Sequence, residues 1–137
     1  IHARESFDEI FAVVDEMNDD RLTGIFHCFT GTPAQAEKII DYGGFMLGLG
    51  GVLTYKNSGL AETIKNIDPG YVILETDAPY LSPVPYRGKR NEPSYMVEVA
   101  KRLALAWEIS YDQVVSQSEE NTKRIFSLKT FDSYKNR

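Results

Sequence analysis

Cysteine is almost missing from this chain. A single one, Cys28, stands among 137 residues, which excludes a disulfide framework and fits a reducing, cytoplasmic setting. No apolar run approaches the roughly 18 residues of a membrane span, and no positively headed apolar stretch reads as a signal peptide. Positive charge is also short. The formal net charge of −5 argues against broad, nonspecific coating of nucleic acid, but not against a local basic site. Histidine occurs twice, as His2 and His27, so the position of each carries weight. An initiating methionine is lacking too: the chain opens on Ile1, which reads as a trimmed or cut N-terminus.

What is present describes an ordinary globular domain, 42% apolar and 26% charged, with short apolar runs alternating with amphipathic segments. Glu5 to Met17 carries Phe7, Ile10, Phe11, Val13, Val14 and Met17 at helical spacing. Thr23 to Phe29 is β-branched and aromatic, the composition of a buried strand. Thr32 then caps a helix with Pro33 at its first position, running to about Tyr42 before Gly43-Gly44. Phe45 to Leu49 is the next strand and Gly50-Gly51 its turn. Asn57 or Ser58 caps a helix to about Asn66, stopped by Asp68-Pro69-Gly70. Tyr71 to Glu75 is the last strand, followed by a proline-rich, basic loop from Ala78 to Pro93. Helices over Pro93–Trp107, Tyr111–Ser116 and Glu119–Phe126 close the chain, and the polar tail after Leu128 is expected to fray. Strand–helix alternation without a linker implies a parallel sheet covered by helices. The architecture is either an open doubly wound sheet or part of a (β/α) barrel, with three clear strands and the end of a fourth at Ile1-His2.

The strand ends carry the chemistry. His2, His27 and Asp77 are separated by 25 and 50 residues, and one strand–helix unit here is about 25 residues long. The three therefore stand at equivalent heights, on the carboxyl rim where parallel α/β folds collect function. Two histidines and a carboxylate converging there make a divalent-metal site. Strand alternation puts Ile25 and His27 on one face, opposite Phe26 and Cys28, and groups Ile73, Glu75 and Asp77. Cys28 then points toward the helices as a packed core residue rather than a ligand. Glu75 is costly to bury alone; it either pairs with a nearby cation or holds a ligand or a metal-bound water. The Gly48-Leu-Gly-Gly51 run lacks a full dinucleotide or phosphate-loop pattern, so close backbone approach is its expected use. Tyr86-Arg-Gly-Lys-Arg-Asn91 is the densest positive patch. It is either a solvated loop or one that bends over the rim to hold an anionic group such as phosphate. Tyr80 and Tyr86 flank it, to pack or to stack on a base.

Four strings in this order resemble the TatD family of metal-dependent deoxyribonucleases. They are Ile1-His-Ala-Arg4, Gly24-Ile-Phe-His-Cys-Phe-Thr-Gly31, Glu75-Thr-Asp-Ala-Pro-Tyr-Leu81 and Arg87-Gly-Lys-Arg-Asn-Glu-Pro93. The closing Asn121 to Phe126 stretch is similar to that family's C-terminal helix, and the likeness runs to about Leu128. The resemblance implies a barrel of the metal-dependent hydrolase type that cleaves phosphodiester bonds in DNA. It implies His2, His27 and Asp77 as metal ligands for Mg, Mn or Zn, two ions in the full-length protein. Arg4, Arg87, Lys89, Arg90 and Asn91 would contact phosphate or order the rim. Asp77 and Glu75 would be the catalytic carboxylates, Asp77 orienting a metal-activated water or taking its proton and Glu75 standing behind the ligands. A related barrel hydrolase acting on a small ester or amide is the alternative, and a non-catalytic truncated module is the non-enzyme reading.

The family pattern begins with an H-x-H or similar pair and adds an acidic ligand midway, and neither lies in this chain. A complete (β/α) barrel needs roughly 250 residues. Residues 1–128 are therefore expected to be the C-terminal half of such a barrel, with 129–137 a polar tail. Alone, the chain is expected to show little or no nuclease activity. Two open sheet edges and an exposed interior further predict self-association or a complementary N-terminal fragment.

Overall fold

The computed structural model describes residues 1–128; the expected polar tail, 129–137, lies outside the described residues. Three short strands, β1 (Gly24–Phe26), β2 (Phe45–Leu49) and β3 (Val72–Leu74), form one parallel sheet in chain order. Phe26 lies beside Leu47, and Leu47 beside Val72. The fourth strand end expected at Ile1-His2 is present as a parallel bridge between His2 and His27, with the His27 N–H donating to the Ile1 carbonyl at 2.9 Å. Four parallel segments linked through helices make the expected arc of a (β/α) barrel.

The helices are α1 (Phe7–Met17), α2 (Pro33–Asp41), α3 (Leu60–Ile64), α4 (Met96–Trp107) and α5 (Tyr111–Ile125). α1 buries Phe7, Phe11 and Val14, one stripe at i, i+4 and i+7, and leaves Val13 and Met17 exposed. α2 begins as its sequence dictates. Thr32 accepts the Gln35 N–H, the Gln35 side chain returns to the Thr32 N–H, and Pro33 follows the cap, so orphan donors are satisfied reciprocally. Phe26, Leu47, Leu49 and Val72 pack from the sheet into the helix layer with Phe7, Phe11, Val99 and Leu103. Phe7, Phe11, Phe26 and Phe45 meet there in tilted, stacked and edge-on pairs, geometries that aromatic quadrupoles favour.

Three expectations shift. The helix after Ser58 shrinks to five residues, entered through Gly59. The two closing helices are one, because the polar Ser118 and Asn121 that interrupt its apolar stripe face a strand rather than water. Leu74 N–H donates to Ser118 Oγ at 3.1 Å, and Asn121 Nδ2 donates to the Val72 and Pro69 carbonyls at 2.7 Å each. Residues 73 and 75 of this strand bond toward β2, as the Glu75 N–H to the Leu49 carbonyl shows. Val72 and Leu74 therefore present their polar groups on the outer side. The β3 edge, expected to be open, is occupied at these two groups by α5. Beside it, an apolar groove of about 570 Å³ runs between α4 and α5, lined by Leu74, Met96, Val97, Tyr111 and Val115 among others.

Candidate metal centre

The rim is built by what happens to β1 after Phe26. Phe26 enters the core and His27 turns to the opposite face, as alternation requires. Cys28 then adopts φ of 48°, in the left-handed region, and the alternation ends. Cys28 consequently sits at the rim, partly exposed, rather than packed under the helices as its spacing suggested. Burial first, and then the neighbouring Asp77 and Glu75 carboxylates, push its thiol up to about 12. A thiol held protonated is a poor nucleophile in the metal-free protein.

His27 meets two carboxylates. Its Nδ1 lies 2.8 Å from Glu75 Oε1 and its Nε2 lies 3.1 Å from Asp77 Oδ1. Among the described residues, ligand atoms of His27, Glu75 and Asp77 fall within 4.8 Å of one another. Glu75 Oε1 also accepts the Cys28 N–H, so one half-buried oxygen ties the last strand to the turn after β1. Burial holds the Glu75 carboxyl above the ordinary carboxylate range, against the opposing pull of the Cys28 N–H and His27. Gly48 makes room for it: a Cβ there would overlap Oε2 and stand 2.6 Å from the carboxyl carbon. Gly51 likewise lies against the backbone at Leu81 and Pro83. The glycine run is thus used for close approach. Asp77 Oδ2 is buried and has no hydrogen-bond partner. An ionised carboxylate oxygen in that state is costly, and a cation is the partner whose chemistry fits a His–carboxylate set.

The other predicted residues divide. His2 is exposed and outside the 4.8 Å group, but its ring centroid is 5.7 Å from that of His27. Arg4 stands at the same rim, where its charge acts on the Cys28 thiol. Asn91 is 3% exposed and orders the basic loop. Its Nδ2 donates to the Tyr80 carbonyl at 2.6 Å and its N–H to the Pro79 carbonyl at 2.9 Å. Ser82 Oγ donates to the Lys89 carbonyl across the same loop. Arg87, Lys89 and Arg90 are exposed, and among the described residues no ion pair joins them to a carboxylate. Tyr86 stacks on Tyr95 with centroids 3.9 Å apart, so it packs, while Tyr80 is exposed. Tyr55 was in no motif, yet it carries the Arg87 guanidinium 3.8 Å from its ring centroid. Its only sequence signal is its place just beyond the Gly50-Gly51 turn at the rim.

A parallel (β/α) arc with a histidine and two acidic side chains gathered at the carboxyl rim defines the class: a barrel-type α/β protein with groups that could hold a metal ion at its strand ends. Within that class the chain belongs to the TatD related DNase family, whose model matches residues 1–127. It is 37% identical over 129 residues to an uncharacterized metal-dependent hydrolase, YabD, of Bacillus subtilis (strain 168), covering 93% of this chain and 50% of that protein. An uncharacterized metal-dependent hydrolase, YcfH, of Escherichia coli (strain K12) is 30% identical, at 93% and 48% coverage. The crystal structure of YjjV, a TatD homolog from Escherichia coli K12, superposes with a TM-score of 0.86 at 27% identity, over 93% of this chain and 49% of that one. A TatD-family hydrolase of Entamoeba histolytica shares the fold at a TM-score of 0.78 and 22% identity, covering 90% and 48%. The chain spans about half the length of the relatives it matches. No described helix is long and apolar enough to cross a membrane.

Proposed function

We propose that the protein is a divalent-metal-dependent hydrolase of DNA phosphodiester bonds, its metal held at the rim by His2, His27 and Asp77. The observation that carries this reading is the convergence of His27, Glu75 and Asp77 within 4.8 Å, with one Asp77 oxygen buried and bonded to nothing. A divalent cation held by these residues would make a water nucleophilic at neutral pH and would offset charge building at phosphorus. The residues supply the rest. Glu75 holds the His27 ring from its Nδ1 side, the arrangement that orients metal-ligating histidines. Asp77 is the carboxylate placed to orient the attacking water and take its proton. Arg4, Arg87, Lys89 and Arg90 attract the phosphate backbone, while Asn91 keeps the loop in shape. The family name supports a nucleic-acid substrate, and the names of the relatives support metal-dependent hydrolysis.

The test is a substrate panel on the full-length protein with Mg²⁺, Mn²⁺ or Zn²⁺: single- and double-stranded DNA, RNA, and small esters and amides. Metal-dependent DNA cleavage that chelation abolishes is the expected result. Turnover of a small amide or ester with DNA left intact overturns the reading. Residues 1–137 by themselves are proposed to turn over little, because three ligands from one arc bind metal weakly. Brisk Mn²⁺-dependent cleavage by this chain alone overturns that part.

A further inference from the structure

Beyond the metal centre, the basic loop is fastened at one place in a way that a merely solvated loop does not need. Thr54 Oγ1 accepts the Val84 N–H at 2.8 Å, and the Tyr55 hydroxyl donates to the Ser82 carbonyl at 3.0 Å. The ring of the same tyrosine supports the Arg87 guanidinium at 3.8 Å. Between the turn and the loop lies a recess of about 420 Å³, lined by Val52, Tyr55, Lys56, Asn57, Ser58, Val84 and Arg87. That volume falls within the usual range of small-ligand sites. Two cationic residues, Lys56 and Arg87, are among its lining, and among the described residues no ion pair joins a carboxylate to either. The turn that carries Val52 and Tyr55 starts beside the rim: a Cβ at Gly50 would stand 3.8 Å from Asp77 Oδ2. Burial chiefly raises the Tyr55 phenol, and the Arg87 guanidinium opposes that.

Stacking decides how Arg87 can be used. A guanidinium lying on an aromatic face keeps its in-plane N–H edge open, and that edge matches two phosphate oxygens at once. The ring also restricts the side chain beforehand, so less freedom is lost when an anion binds. Lys89 and Arg90 carry equal charge, and among the described residues neither lies over an aromatic ring.

We propose that this recess is a subsite for a backbone phosphate of the DNA strand next to the scissile one. Arg87 is its anion ligand, Lys56 its second cation, and Tyr55 the positioning residue that holds the guanidinium. This assignment rests on the phosphodiester reading of the rim and deepens it. The Val52 and Val84 walls give the attached sugar an apolar surface, so the site takes a nucleotide unit rather than a bare anion.

The experiment measures equilibrium binding of a fluorescein-labelled oligothymidylate to the chain by anisotropy, across a series of NaCl concentrations. Arg87→Ala is expected to weaken binding about tenfold or more and to reduce the salt slope by about one. Tyr55→Leu, which removes the ring, is expected to weaken it several-fold, whereas Tyr55→Phe, which keeps the ring, stays within about twofold of the unaltered chain. Binding by Arg87→Ala within twofold at an unchanged salt slope overturns the subsite. So does equal loss in Tyr55→Phe and Tyr55→Leu, which would place the effect in the hydroxyl and the loop's fold. Failure of the unaltered chain to bind the oligonucleotide overturns it as well. A separate arm follows metal-dependent hydrolysis of bis(4-nitrophenyl) phosphate by the full-length protein, a diester with no neighbouring phosphate. If that reaction proceeds while Arg87→Ala leaves oligonucleotide binding intact, the subsite falls and the phosphodiester reading stands; if it is absent, that reading falls too.

Discussion

Gly48→Ala is expected to damage the rim through a single methyl group. The new Cβ would overlap Glu75 Oε2 and stand 2.6 Å from the carboxyl carbon. Gly48 lies in a fully buried strand, so the glutamate has to move. Moving it breaks the contact from Oε1 to His27 Nδ1 and the hydrogen bond from the Cys28 N–H. Hydrogen bonds to a charged group are worth about 1.5–3 kcal/mol each, and overpacking typically costs about 1–3 kcal/mol. The two penalties relieve one another in part, so a net loss of about 2–4 kcal/mol is expected. Urea unfolding of the metal-free chain measures it, and a double-mutant cycle with Glu75→Ala isolates the cause. Once the carboxylate is gone the alanine methyl has space. Gly48→Ala should then cost at least about 1 kcal/mol less in the Glu75→Ala background than in the parent. Additivity of the two substitutions within about 0.5 kcal/mol refutes the reasoning, because the damage would then lie in the strand backbone rather than in the carboxylate.

Asn121 is fully buried and donates to two carbonyls, so Asn121→Leu should destabilise the chain by about 2–4 kcal/mol in urea unfolding; a loss below about 0.5 kcal/mol would contradict the edge role assigned to it. Hydrogen bonds from Lys38 first, and from Tyr42 second, hold the Asp15 carboxyl below its ordinary range. Its stabilising contribution is therefore present above the unfolded aspartate pKa and lost as pH falls through the lowered folded value. The difference in melting temperature between the parent and Asp15→Asn should accordingly be largest near neutrality and shrink in acid; a difference independent of pH counts against it. With its thiol pushed up to about 12, Cys28 of the metal-free chain should react with iodoacetamide at pH 8 far more slowly than a free thiol, by a factor of about a thousand in thiolate population. Reaction at the rate of free cysteine would show that the rim is not as dry or as negative as its geometry states.

The rim was legible because its signal is periodic. His2, His27 and Asp77 recur at multiples of one strand–helix unit, and the bridge between His2 and His27 is that periodicity made physical. The capping residues of α2 were equally plain, since Thr32, Pro33 and Gln35 act within one turn. Cys28 was not. Two-residue alternation holds only while the chain stays extended, and a left-handed residue turned its side chain from the core to the rim. Ser118 and Asn121 look like a helix break for a similar reason: periodicity counts apolar residues, and these two are buried on polar partners 44 to 52 positions away. Tyr55 was missed because a tyrosine that props a cation carries no local pattern. The tight role of Glu75 was readable only as a question, namely what compensates a buried carboxylate. The answer, His27 and the Cys28 N–H, depends on a turn that spacing does not specify.

The side chains that α5 lends to the outer side of β3 have a consequence in time as well as in space. α5 is the last of the described elements to be synthesised, about 40 positions after the strand edge it covers. Until it arrives, nothing else among the described residues bonds to the Val72 carbonyl and Leu74 N–H on that outer side, and an unpaired strand edge is a template for other extended segments. Domains are exposed to misassembly during just such intervals of synthesis. The helix that guards the sheet is therefore the part of it that arrives late.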